Sequence, residues 1–271
     1  MAVAEAPAHA EEAQHEEAEL QYPRLQVGVM GMYIFLASEV MFFGSLFAMY
    51  FYLFGSHPFG WPPPGTKFVD VWPLPTVNTA VLLSSGVTCH FGLEALRHGR
   101  PLGRTGAVAA GIMVVFIFAE VVMAALSAQA GADFEVGLGL VSAVVLMVAS
   151  AAALGLGPFN SGRATFYCLW IATIILGLGF EIGQAFEFLT AHINFTTNIF
   201  TSAFFTMTGF HGGHVAGGLV LLSLILGRAL KGQFSTQHHV GPAAITLYWH
   251  FVDVVWIFLY AILYFAVTLS G

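Results

Sequence analysis

The chain has 271 residues, of which 58% are hydrophobic and 8% are charged, and its mean hydropathy is +0.80. Soluble domains carry about 25% charged residues, so this composition excludes a water-soluble globular protein and predicts an integral membrane protein. The formal net charge is −7, but six of the fifteen acidic residues lie among the first nineteen and no basic patch is present, which excludes a nucleic-acid-binding protein.

Residues 1–25 are predicted to form an acidic, disordered tail at the membrane surface. The tail is rich in Ala and Glu and has no basic segment at its start, so it does not have the pattern of a signal peptide. Like charges four residues apart, such as Glu12 and Glu16, disfavour a lone helix there. We expect residues 26–271 to form a single transmembrane helical domain.

Seven apolar segments reach the length of about 20 residues that a membrane-spanning helix needs. They cover residues 27–54, 75–97, 106–129, 134–156, 164–190, 198–228 and 244–269. A turn near Ala130–Asp133 separates the third span from the fourth. The predicted fold class is therefore all-α, a polytopic transmembrane bundle of about seven helices.

The link between the first two spans, Gly55–Leu74, is rich in Pro, Gly and Trp. Proline lacks the backbone donor and clashes with the preceding turn, so this link is not helical. We expect it at the membrane interface, where Trp61 and Trp72 are favourably placed.

Basic residues predict the orientation of the bundle. Seven of the eight lie before the first span or in the loops after the second, fourth and sixth, namely Arg24, Arg97, Arg100, Arg104, Arg163, Arg228 and Lys231. Lys67 alone lies in a loop of the opposite side. Because basic loops stay inside, we expect the N-terminus inside and the C-terminus outside.

The carboxylates within the spans include Glu39, Glu120, Glu181, Glu187 and Asp253. Each costs about 2.5–3.5 kcal/mol at mid-bilayer depth, so each is expected to face the bundle or water beside a partner. Glu94 has simpler surroundings, because Arg97 and His98 follow at i+3 and i+4 and provide a local ion pair.

Two pairs of polar residues are spaced i,i+3 on their helices, His211 with His214 and His250 with Asp253. Such pairs on neighbouring helices are compatible with haem or a metal ion. Equally, they are compatible with hydrogen bonds that fix helix packing, which we favour because no cysteine or further acid completes a ligand set. The two cysteines form no disulfide framework and are interpreted as apolar packing residues.

The sixth span also carries small residues at four-residue steps, Gly209, Gly213 and Gly217. This pattern predicts that another helix approaches closely on that face.

Several segments resemble motifs of a known family. The stretch Thr208–Val215, TGFHGGHV, is similar to its TGFHGxHV motif, and Tyr248–Trp256 reads YWHFVDVVW, as in the family. Ser38–Phe43, SEVMFF, resembles the SEVxFF helix of the family.

Three further segments follow the same order as in that family. Val77–Gly86 resembles its LNTxxLLxSG helix, Gln184–Phe188 resembles its QAxEY motif, and Phe234–Gly241 with its paired histidines resembles its last loop. On these motifs the chain resembles subunit III of haem–copper respiratory oxidases of the cytochrome c oxidase type. The resemblance covers about Gln26–Gly99 and Arg163–Tyr264.

The resemblance implies a role in a proton-translocating terminal oxidase complex. Members of the family are helical bundles that dock against the catalytic subunit I, and haem and copper belong to subunits I and II. It implies no catalytic residue, metal ligand or cofactor in this chain, bound phospholipid, and support of proton uptake and stability in subunit I. It also implies an integral protein of a bacterial-type cytoplasmic (inner) membrane and leaves membership of a respiratory supercomplex open.

We also assign expected roles to individual residues. Glu39 is the candidate for a proton-linked role. The buried polar framework is expected to comprise Glu187, His211, His214, His250 and Asp253. The candidates for lipid headgroup contact are Arg228, Lys231 and His238.

The sequence departs from the family pattern in two places. Long members have two helices before the one that matches the first span, and here an acidic tail precedes it. The third and fourth spans match no motif, so residues of about 104–157 are predicted to be an inserted helix pair. We expect this pair to cover part of the surface that the missing helices leave bare.

Other functions remain open on the sequence alone. An accessory subunit of a quinol oxidase or of a nitric oxide reductase is the nearest alternative. A stand-alone proton or ion transporter is an alternative of another class, which inverted repeats would favour. A haem-binding membrane cytochrome is a third.

Overall fold

A computed structural model describes residues 25–57, 60–63, 66, 72–99, 102–191 and 193–267. The predicted acidic tail lies outside these residues except for Leu25. Three of the basic residues that predict the orientation, Arg24, Lys67 and Arg100, also lie outside the described residues.

Seven long helices, each apolar enough to cross a membrane, make up the described part of the chain, in which no strand occurs. They are α1 (Leu25–Ser56), α2 (Leu74–His98), α3 (Arg104–Gln129), α4 (Asp133–Ala153), α5 (Gly162–Thr190), α6 (Ile199–Leu230) and α7 (Val240–Leu259), which continues as a π-helix over Tyr260–Phe265. The predicted all-α bundle of seven spans is confirmed.

Local sequence accounts for several helix ends. The Asn198 side chain accepts a hydrogen bond from the Thr201 backbone, and Thr201 reciprocates at the backbone of Asn198, which forms a capping box at the start of α6. Ser161 caps α5 through the backbone N–H of Ala164. After α2, Gly99 adopts a left-handed conformation (φ 64°), which glycine reaches without a steric penalty.

Short connections place consecutive helices antiparallel. Near one end of the bundle, the Tyr167 hydroxyl at the start of α5 donates to the carbonyl of Ala229 at the end of α6. We call this the basic end, because it carries the described basic residues Arg97, Arg104, Arg163, Arg228 and Lys231. At the opposite end, Asn198 donates to the Thr66 hydroxyl.

The centre of the bundle is built around a tryptophan of α7. The Trp249 ring fits between Gly177 of α5 and Gly218 of α6, where an added Cβ would lie only 2.8 Å and 2.7 Å from the ring. Trp249 is fully buried, as are Trp170 and Trp256. Small residues therefore let three helices close around one large side chain.

The pair formed by α3 and α4 packs against α2 and α5, while α1 packs against α6 and α7. Close backbone approach joins the pair: Gly106 lies against the carbonyl of Ala153, and Gly139 lies against Ala124. The status of this pair as an insertion stays a prediction.

Among the described residues, no helix makes the predicted close approach at the glycine stripe of α6. Added Cβ atoms at Gly209 and Gly213 would meet nothing within 4 Å, and one at Gly217 would meet only the Tyr248 hydroxyl at 3.8 Å. The stripe faces outward, because the packed face of α6 is the one that carries Gly218.

Candidate functional site

Glu39 of α1 and His214 of α6 form an ion pair or hydrogen bond inside the membrane span. His214 Nε2 lies 2.9 Å from Glu39 Oε2, and the side chains are 21% and 16% exposed. The other ring nitrogen, Nδ1, lies 2.7 Å from the carbonyl of Phe210. Both imidazole nitrogens therefore have partners. The Glu39 carboxylate, which is costly to place at this depth, has one as well.

His211 faces away from His214. It is fully buried, its ring stacks on Trp256 at 4.9 Å between centroids, and it meets the Phe180 ring edge-on at 5.8 Å. Neither ring nitrogen has a hydrogen-bond partner among the described residues. The spacing i,i+3 thus separates the two histidines onto different neighbours, α1 for His214 and α5 with α7 for His211.

Glu187 of α5 is held at the opposite end. The Tyr264 hydroxyl donates to Glu187 Oε1 at 2.8 Å, and Gln184 Nε2 lies 3.4 Å from the other oxygen. Because Tyr264 belongs to the π-helix that ends α7, this contact joins α5 to the last turn of the bundle.

His250 and Asp253 of α7 are paired along their helix, with His250 Nδ1 3.4 Å from Asp253 Oδ2. Gly86 of α2 makes room for them, since a Cβ there would collide with the carboxylate. The ring of His90, also on α2, lies 5.8 Å from that of His250. His90 received no role in the sequence analysis, because it belongs to no recognised motif.

The three candidates for lipid headgroup contact lie exposed at the basic end. Arg228 Nε donates to Gln233, and its guanidinium lies 5.4 Å from the centre of the Phe234 ring. Lys231 ends α6, and His238 lies in the loop before α7.

Glu120 of α3 is fully buried against α4, where the Ser142 hydroxyl donates to Oε2 at 2.5 Å. Two indoles also find hydroxyl acceptors on α2: Trp249 donates to Ser85 and Trp256 donates to Thr79, each at 2.9 Å. The two members of each pair lie on different helices, and neither a motif nor a residue spacing predicted these pairings.

Within the described ranges, no three His, Cys, Asp or Glu side chains are grouped so as to hold a metal ion. The polar groups of the span instead contact one another across helices. Their chemistry is that of hydrogen bonding and helix packing.

The sequence pattern of the family described as cytochrome c oxidase subunit III matches residues 21–150 and 136–268. The chain is 32% identical over 237 residues to cytochrome c oxidase subunit 3 of Thermostichus vulcanus, covering 87% of this chain and 86% of that protein. It is 31% identical to the subunit 3 of Mus musculus, of which it covers 71%, and 30% identical to that of Rhizopus stolonifer, of which it covers 63%. These alignments span 89% and 87% of this chain.

Proposed function

The chain belongs to the cytochrome c oxidase subunit III family, and from this membership we propose that it is the non-catalytic subunit III of a proton-pumping haem–copper terminal oxidase. In this assignment oxygen is reduced to water in subunits I and II, which hold the haem and copper. This chain supports proton uptake and stability in subunit I.

The observation that carries the proposal is that the family's motif residues converge in one bundle. Residues of the SEV, TGFHGGHV and YWHFVDVVW motifs bring Glu39, His214, Asp253 and Trp256 onto helices that pack together. The contacts of Glu39 with His214 and of Glu187 with Tyr264 across helices support a role of this framework in helix packing.

Within this function, we propose that the Glu39–His214 pair is the proton-linked element of the chain. A carboxylate and an imidazole at 2.9 Å can exchange a proton without breaking their hydrogen bond. The pair lies about 21 Å from the start of α1 at a rise of 1.5 Å per residue, which is deep within the bilayer.

The membrane setting completes the proposal. We assign the chain to a bacterial-type cytoplasmic membrane, with the basic end inside and phospholipid headgroups near Arg228, Lys231 and His238. Cationic and imidazole side chains exposed at that end support the headgroup assignment.

Purification of the tagged chain in a mild detergent tests the function. We expect a haem–copper large subunit to copurify and the preparation to oxidise reduced cytochrome c with oxygen uptake. Copurification with a quinol-oxidising or nitric-oxide-reducing large subunit would favour those alternatives instead. Recovery of the chain alone, with ion flux in liposomes, would favour the transporter and reject the oxidase role.

A further inference from the structure

Two outward-facing histidines at membrane depth, His90 of α2 and His250 of α7, lie on helices that line an outward-facing crevice together with α1. We infer that this crevice receives a transmembrane helix of the large oxidase subunit and that the histidines hydrogen-bond an acidic side chain of that helix. The inference rests on the proposed function, since it names the surface through which this chain meets its partner.

The geometry of the pair shows polar groups turned outward. His90 is exposed, the His250 side chain is 39% exposed, and their ring centroids are 5.8 Å apart. Asp253, whose side chain is 9% exposed, contacts His250 from the buried side. No side chain in the described part of the chain hydrogen-bonds His90, so one imidazole of the pair has no side-chain partner among the described residues.

The depth of the pair makes this exposure costly. At 1.5 Å per residue, His90 lies about 12 Å from the end of α2 and His250 about 15 Å from the start of α7. Both helix ends belong to the basic end, and the hydrocarbon core is about 30 Å thick. The imidazoles are therefore well inside the bilayer, where polar side chains almost always face protein or a water-filled cavity.

A crevice of about 720 Å³ opens nearer the basic end than the pair. Its walls include Met30 and Ile34 of α1, Arg97 of α2 and Ala243 of α7. His90 precedes Arg97 by seven residues and His250 follows Ala243 by seven, which is two helical turns in each case. Both histidines thus lie on the crevice-lining faces of α2 and α7, deeper in the membrane.

Charge and depth together select the occupant. The exposed polar groups on these faces of α2 and α7 are the imidazoles of His90 and His250 and the guanidinium of Arg97, which is 44% exposed and partly neutralised by Glu94 at 3.9 Å. An acidic side chain complements them. A phospholipid fills apolar walls but carries its polar groups at the membrane surface, whereas a protein helix presents a carboxylate at any depth.

The chain itself contains an example of this arrangement. His214 of α6 receives a carboxylate from α1 at 2.9 Å. His90 and His250 offer the same chemistry, and no described helix supplies a carboxylate on their exposed side.

Site-specific photo-crosslinking in the intact complex tests the inference. p-Benzoylphenylalanine replaces Val254, which lies one turn beyond His250 and is 49% exposed. As the matched control it replaces Val115 of α3, which is 67% exposed. We expect a crosslink to the large subunit from position 254 and none from position 115. A second experiment measures how much of the large subunit copurifies with the double variant His90→Leu/His250→Leu. We expect this amount to fall about tenfold, because one hydrogen-bonded partner is lost. Val115→Leu is the control.

Each outcome is decisive. A complex that copurifies normally but yields crosslinks from position 254 only to lipid would overturn the inference and leave the proposed function standing, as would unchanged retention by the double variant. Failure of the unmodified chain to copurify with any haem–copper subunit would instead reject the proposed function itself.

Discussion

Glu39 and His214 lie 175 positions apart, and each was recognised in the sequence as a polar residue within a span. Their partnership could not be predicted, because it depends on how α1 crosses α6. By contrast, the local pairing of Glu94 with Arg97 and His98 was predicted from i+3 and i+4 spacing and is confirmed, at 3.9 Å and 2.7 Å. At the residue scale, contacts within one helix follow from sequence and contacts between helices do not.

The pairing of Glu39 leads to a graded expectation. Glu39→Gln keeps a hydrogen-bond partner for His214, because the amide N–H can donate to Nε2 while Nδ1–H donates to the Phe210 carbonyl, so the chain should assemble with little loss of stability. Glu39→Leu removes this partner and leaves an imidazole nitrogen unpaired at membrane depth, at a cost of about 1–3 kcal/mol. Unfolding in mixed detergent micelles measures both, and equal stability of the two variants would contradict this account of the pair.

Glu120 gives a second prediction at this scale. Its carboxyl is fully buried and accepts from Ser142 at 2.5 Å, so Ser142→Ala should destabilise the contact of α3 with α4 by about 1–3 kcal/mol. Ser150→Ala is the matched control, since the Ser150 hydroxyl only donates back to the carbonyl of Leu146 in its own helix. Proteolysis at the turn after α3 reports the loosening. Similar digestion rates for the two variants would count against a structural role for Glu120.

At the scale of the element, the predicted spans match the helices to within a few residues, since apolar length decides where a helix crosses a bilayer. The glycine pattern of α6 does not mark the face that packs within the described part of the chain, so the approach of another helix to it stays a prediction. Gly209, Gly213 and Gly217 form the more regular stripe, but the bulky Trp249 fits against Gly218 instead. The sequence pattern shows which residues are small. The side chain that packs against the helix, here that of Trp249, determines which of these small residues form the close contact.

The two faces of α6 behave differently under the same substitution. Gly218→Leu should prevent Trp249 from seating and cost several kcal/mol, because overpacking of a close contact is destabilising. Gly213→Leu should leave the stability of the isolated chain nearly unchanged, since an added Cβ meets nothing within 4 Å. Thermal unfolding in detergent separates the two, and comparable losses would show that the stripe is packed after all.

At the scale of the whole molecule, the motifs led to the family, and the seven-span fold followed from hydropathy alone. The position of the helix pair α3–α4 was beyond the sequence, because neither helix carries a motif. The pair packs on α2 and α5, and its expected role as a cover for the bare surface stays a prediction. Among the seven described spans, α1 has the smallest buried share.

Orientation is tested on the whole molecule. Gln237→Cys, in the loop before α7, should react with a membrane-impermeant maleimide only from the inside, and Ala130→Cys, after α3, only from the outside. Both positions are exposed. A background with Cys168→Ala removes the partly exposed native thiol, while Cys89 is buried. Labelling of both positions from the same side would refute the alternation, and exchanged sides would invert the topology.

The seating of Trp249 between two glycines has an optical consequence. Three of the five tryptophans, Trp170, Trp249 and Trp256, are fully enclosed, so the intrinsic fluorescence of the folded chain should be blue-shifted and poorly quenched by acrylamide. Opening of α7 from α5 and α6 would expose these indoles together and shift the emission to the red. The chain therefore carries its own label-free reporter of bundle closure, usable inside the assembled complex wherever haem absorption leaves the signal intact.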